Sequence, residues 1–229
     1  LHDHPHNAGP LGVIGSSSAN MLAEEADVVV AVGTRLQDFT TGSWSVFGNE
    51  QMRLIAINAA RYDAHKHRAL SVVGDALAGI DELGQALEGW KAPDPWISKS
   101  RSLYAEWNTT VEQHSGPTTD VPPSYAHVIG AVNRVCDETD LALTAAGGFP
   151  GELCKNWKTK SSGTFDCEFG FSCMGYEIAG GWGAKMADPD RDVIVFVGDG
   201  SYMMMNSDIY SSVLTDHKLI VCDPSGLNY

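Results

Sequence analysis

"DVIVFVGDGSYMMMNSDIYSSVL", residues 192–214, is the stretch on which the fold turns. Val193 to Val197 are apolar without alternation, as in a parallel strand covered on both faces. Gly198-Asp199-Gly200 breaks the run. Helical spacing follows, with Tyr202, Met205, Ile209 and Val213 along one side. "KLIVCD" (218–223) reads as the next strand, so the segment is a β-α-β unit.

Working upstream, "SYAHVIGAVNRVCDE" is a helix with Ala126, Ile129, Val132, Asn133 and Cys136 on one face. "LALTAAGG" is a small-residue strand running into a glycine turn, and "GYEIAGGWGAKMA" is a helix whose small residues imply a close neighbour. Residues 91–123 carry five of the ten prolines around one helical stretch and read as a helical linker. Before it, "DVVVAVG", "LIAIN" and "LSVVGD" are three short strands expected to be covered on both faces. "SSSANMLAEEA" is a helix capped by Ser16 to Ser18. "ALAGIDELGQALEGW" is an amphipathic helix with Leu77, Ile80, Leu83, Gly84 and Leu87 on one side. The fold class is therefore α/β: two doubly wound parallel-sheet domains joined by a helical linker. The expected boundaries are residues 1–90, 91–123 and 124–229.

Composition narrows the functions. Lys plus Arg is 15 against 29 Asp plus Glu, a formal net charge of −14, and no basic stripe appears, so no nucleic-acid partner is expected. No apolar run approaches the roughly 18 residues of a membrane span, so no membrane partner is expected either. Cys136, Cys154, Cys167, Cys173 and Cys222 are odd in number and lack a C-x-x-C pair, which favours a reducing cytoplasm. Cys154, Cys167 and Cys173 lie close together without a zinc spacing and read as small buried hydrophobes or bystanders. The chain opens without Met in "LHDHPHNAGP" and stops at Tyr229 just after a strand, so it is expected to be a fragment of a longer protein. His2, His4 and His6 are expected in an exposed terminal segment, and His65 and His67 on a solvated face. Arg35 and Asp38 lie at a strand end without G-x-G-x-x-G and read as solvated charges.

Asp199 asks for a chemical reason. A strand's carboxyl end and a helix's amino end form the crevice where open parallel sheets bind ligands. Free N–H groups and a partial positive charge there suit a phosphate, and Gly198 and Gly200 let it reach the backbone. A carboxylate beside phosphate is repulsive unless a cation stands between them, and Mg²⁺ takes both as ligands. The pattern points to a Mg²⁺–diphosphate cradle, with a plain Gly-Asp-Gly turn as the bland alternative. Gly147 and Gly148 after the "LALT" strand offer a second backbone approach, and Met174-Gly175 stands at a helix start. A haloacid-dehalogenase-type phosphatase also uses Gly-Asp-Gly. It would need an Asp-x-Asp at an earlier strand end and an acid just after the turn, where Tyr202 and Met203 stand instead. A non-catalytic α/β binding module stays open.

The run from Met174-Gly175 through "GAKMADPDRDVIVFVGDGS" resembles the diphosphate-binding domain of thiamine diphosphate-dependent enzymes. Residues 1–90, with "EADVVVAVGTRL" and "VVGDALAGIDEL", resemble part of their central domain. The resemblance covers about residues 10–226. "GTRLQDFTTGSWSVF", "AAGGFPGEL" and "GDGSYMMMNSDIYSS" are most similar to the members that hydrolyse a C–C bond of a cyclic polyol dione in myo-inositol breakdown. An acetolactate-synthase-like activity is the alternative within the family. The resemblance implies thiamine diphosphate and Mg²⁺ as cofactors. It implies Asp199 as a metal ligand, and Gly198, Gly200 and Ser201 at the diphosphate. Ala146, Gly147, Gly148 and Phe149 would line the other side, with Met174 as the wedge that keeps the cofactor bent. The family's second side-chain metal ligand is an Asn. Pro224 falls at that position, leaving the Gly226 carbonyl, or Asn228, to complete the metal site. The activating Glu belongs to a pyrimidine-binding domain outside this chain, so no catalytic residue is expected within it. A homodimer or homotetramer is implied for the full-length protein.

Overall fold

The computed structural model describes residues 1–223 and divides them into two compact units, Ala8–Trp107 and Leu1–Asn7 with the chain from Asn108 onward. The division falls inside one helix rather than in a loop.

In the first unit, helix α1 (Ser17–Glu25) starts where Ser16 accepts a hydrogen bond from the Ala19 amide. Strand β1 (Val28–Val32) follows, then the short α2 (Asp38–Thr41), β2 (Arg53–Asn58), α3 (Arg61–Ala64), β3 (Leu70–Val73) and α4 (Ala76–Ala86). The three strands are parallel in the order β1-β2-β3, with Val30, Ile55 and Leu70 in one row. Ala31, Leu36 and Leu54 form the core on one face, with Trp44 and Met52 packed against them. The opposite face departs from the expected two-sided cover. Val30 is 41% and Leu70 is 68% exposed. The apolar stripe of α4 is also open, with Leu77 at 69%. A continuous apolar run announces a face that suits burial; it does not supply the cover. His65 and His67 are both exposed as expected, and His67 also stacks on Trp44 at 4.1 Å between ring centroids.

Helix α5 (Asp94–Ser115) carries the chain across the unit boundary. The second unit continues with α6 (Tyr125–Val135), β4 (Leu141–Thr144), α7 (Phe149–Asn156), β5 (Phe165–Cys167) and α8 (Tyr176–Ala187). It closes with β6 (Val193–Phe196), α9 (Asp199–Met205), α10 (Ser207–Leu214) and β7 (Ile220–Cys222). All pairs are parallel, in the order β5-β4-β6-β7. Every residue of β4 and β6 is buried. On one face Ile129, Phe149, Leu153 and Phe196 form the core under α6 and α7. On the other, Leu143, Val193 and Val195 meet Tyr176 and Ala184 of α8. Gly181 lets α8 press on Val195, where an added Cβ would collide with that side chain. This is the close neighbour its small residues foretold. Leu1–Asn7 join this unit through His2, whose amide donates to the Thr159 carbonyl at 3.2 Å.

The strand order places a switch point. From β4 the chain winds outward to β5, then crosses back to lay β6 on the other side of β4. The connections after β4 and β6 therefore leave adjacent strands in opposite directions and open a crevice at their carboxyl ends. The Thr144 hydroxyl, at the end of β4, donates to the Phe196 carbonyl at the end of β6 (3.1 Å) and pins the two ends together.

Candidate cofactor site

Two glycine loops and one helix start converge on that crevice. After β4, Ala145 and Ala146 are buried and Gly147 takes φ +83°, a left-handed turn that favours glycine. A Cβ on Gly147 would meet nothing within 4 Å, so this wall is open. Phe149 then enters α7 and turns inward. Its ring is 1% exposed and sits 4.7 Å from Tyr125 and 5.4 Å from Phe196. Its side chain is therefore core, and only its backbone is left for a ligand.

After β6, Gly198 is extended at the N-cap of α9 and also faces open space. Asp199 is partly exposed at the first helical position. The Gly200 amide donates to Asp199 Oδ1 at 2.7 Å, and the Tyr202 amide to the Gly198 carbonyl at 2.9 Å. Ser201 is buried beneath the turn.

The third element is the connection from β5 to α8. Glu168 caps it by accepting the amides of Cys173 (2.8 Å) and Phe171 (3.0 Å), and those bonds hold its carboxyl below the usual range. The Tyr176 hydroxyl donates to Asp166 at 2.9 Å, which pushes the phenol up to about 12. Met174 is half exposed, and its Cε lies 3.0 Å from where a Gly200 Cβ would stand. A Cβ at 200 would press on that methyl, so glycine lets the Met174 tip rest close over the turn. The Met174 tip, the Gly-Asp-Gly turn and the Gly147 loop are thus brought to one place.

One residue at this junction has no counterpart in the sequence reading. Glu177, in the first turn of α8, is 0% exposed. Its Oε1 accepts the Ala146 amide at 2.9 Å and its Oε2 the Gly175 amide at 3.1 Å. A first-turn carboxylate is ordinarily given to solvent and the helix dipole, so only its place between Gly175 and a small-residue helix marks it in the sequence.

Gly226, Pro224 and Asn228 lie outside the described residues. Among the described residues no group of three His, Cys, Asp or Glu side chains is set to hold a metal, which leaves the cysteine trio without a zinc geometry. Cys154 and Cys167 are instead neighbouring, half-buried free thiols, and Cys173 is exposed. A cleft of about 390 Å³, lined by Thr139, Thr164, Asp190 and Arg191, sits at the opposite, amino ends of the strands. Its Arg191 guanidinium is engaged by the carbonyls of Thr139 and Gly163. Among the described residues no helix is long and apolar enough to cross a membrane.

Parallel sheets flanked by helices, with glycine loops at a switch point, define an α/β protein built to take a phosphate-bearing ligand. Residues 1–83 match the thiamine pyrophosphate enzyme central domain, and residues 145–222 match the thiamine pyrophosphate enzyme C-terminal TPP binding domain. The chain belongs to the thiamine pyrophosphate enzymes and carries these two domains. It is 36% identical over 249 aligned residues to 3D-(3,5/4)-trihydroxycyclohexane-1,2-dione hydrolase of Bacillus cereus (strain AH820), covering 97% of this chain and 39% of that protein. The hydrolases of the same name from Bacillus anthracis and Bacillus thuringiensis (strain Al Hakam) match with the same identity and coverage. The chain thus spans 39% of the length of these relatives.

Proposed function

We propose that the protein to which this chain belongs opens a cyclic polyol 1,2-dione by thiamine diphosphate- and Mg²⁺-dependent C–C hydrolysis. The relatives' name supplies the substrate class, and the crevice between β4 and β6 supplies the physical support. Its residues fit the cofactor. Gly147 and Gly198 leave both walls free of side chains, and the α9 start directs its positive end toward a diphosphate. Asp199 is the carboxylate for a divalent ion, with the remaining ligands drawn from the diphosphate, water and residues beyond Asp223. Gly198, Gly200 and Ser201 hold the diphosphate end. Ala146, Gly147 and Gly148 line the other wall through their backbone, and Met174 fills the space above Gly200 as an apolar wedge. When bound, the thiazolium supplies the electron sink for C–C cleavage. This chain's residues bind, orient and exclude water. In the assembled protein, a homodimer or homotetramer, the proton-relaying carboxylate comes from outside this chain.

The observation that carries this reading is the convergence of Met174 and the two glycine loops at one switch point. Calorimetric titration with thiamine diphosphate, with and without Mg²⁺, tests it. Binding is expected to be weak, to need Mg²⁺, and to vanish in Asp199→Ala. Equal binding by the two chains overturns it.

A further inference from the structure

We infer that Glu177 is the positioning residue that sets the width of the crevice, by clamping its Gly147 wall to the Met174 wedge. This rests on the reading of the crevice as a thiamine diphosphate site.

Glu177 is 0% exposed, and among the described residues no Lys, Arg or His forms an ion pair with it. An unpaired buried carboxylate is costly unless its oxygens are taken up by donors. Here each oxygen accepts one backbone amide, and the two amides belong to different walls. Ala146, whose N–H meets Oε1, immediately precedes the left-handed Gly147. Gly175, whose N–H meets Oε2, immediately follows Met174 and is itself left-handed at φ +93°. The two bonds are 2.9 and 3.1 Å long, so one rigid carboxylate fixes the separation of the two backbones. The positive end of α8 adds to its stability as an anion. Because the Met174 methyl rests over Gly200, the clamp also sets how far the wedge reaches over the Gly-Asp-Gly turn.

The clamp bonds the Gly147 loop and the Met174 segment and makes no hydrogen bond to the Gly-Asp-Gly turn to which phosphate is assigned. That separation makes the test specific. In the wild-type chain without ligand, amide-resolved hydrogen exchange is expected to show Ala146 and Gly175 protected. Exchange at the rate of open loops removes the clamp outright, with no variant needed. Glu177→Gln keeps the shape but presents N–H to one of the two amides. It is expected to speed exchange at both by about tenfold or more. It is also expected to weaken thiamine diphosphate by about tenfold while leaving Mg²⁺–pyrophosphate affinity unchanged. Unchanged thiamine diphosphate affinity, or equal loss for both ligands, overturns the positioning role. A wild-type chain that binds neither ligand sinks the proposed function instead, and the exchange data still decide whether the clamp exists.

Discussion

Phe196 shows how much rests on single side chains. It is fully buried, with the rings of Phe149 at 5.4 Å and Trp157 at 5.7 Å, and its carbonyl receives the Thr144 hydroxyl. Phe196→Ala is expected to cost about 3–5 kcal/mol, read from urea unfolding followed by circular dichroism. Tyr176 carries a pH signature. Its phenol is raised from 10.0 to about 12 by the bond to Asp166, with burial adding to it. A raised folded value stabilises the fold below the unfolded one and loses that stabilisation as pH climbs through about 12. Phenolate absorbance is expected to show one of the seven tyrosines titrating near pH 12, missing in Tyr176→Phe. Glu168 has the opposite sign. Its lowered carboxyl supports the 168–173 turn above the ordinary 4.5, and the support is lost as acid protonates it.

Among the elements, α8 packs closely enough on the sheet to leave little tolerance at Gly181. Gly181 sits against Val195, so Gly181→Ala must lift the helix from β6 or displace that valine. The expected cost is about 1–3 kcal/mol, checked by thermal unfolding, and a loss below a few tenths would show that the helix is not so seated. α6 starts differently. Ser124 accepts the His127 amide while the His127 ring accepts the Ser124 amide, a reciprocal cap. Ser124→Ala is expected to cost about 1 kcal/mol by the same measurement. The Ser124 cap was not singled out in the sequence, whereas the small residues along α8 were legible as a pattern. β5 and α7 were not. β5 is three residues long and contains Asp166, too short for periodicity to register. α7 opens on Phe149-Pro150 directly after two glycines, which reads as a continuing loop until the Pro is seen at a helix's first turn.

Over the molecule as a whole, the first unit leaves an apolar row on its sheet, with Val28, Val30, Leu70 and Val72 all exposed. Such a row is expected to bind an apolar fluorescent dye and to promote self-association that grows with concentration. Leu70→Lys should reduce both with little loss of stability, since Leu70 is already 68% exposed. Dye binding unchanged by the substitution would locate the sticky surface elsewhere. The unit boundary is a second feature of this size. Prolines bracket residues 91–123, the expected linker, and within that stretch the compact units divide between Trp107 and Asn108, inside α5.

Most strands, the α1 cap, the Gly-Asp-Gly turn and the family resemblance were readable from the chain, because each shows as a pattern of residues close in sequence. The order β5-β4-β6-β7, the inward turn of Phe149 and the clamp of Glu177 were not. Those depend on pairings such as Ala146 with Glu177, 31 residues apart. A local pattern states which face of an element is apolar. Only packing chooses the partner that covers it, and here that choice brings two glycine loops and a buried carboxylate to the same crevice.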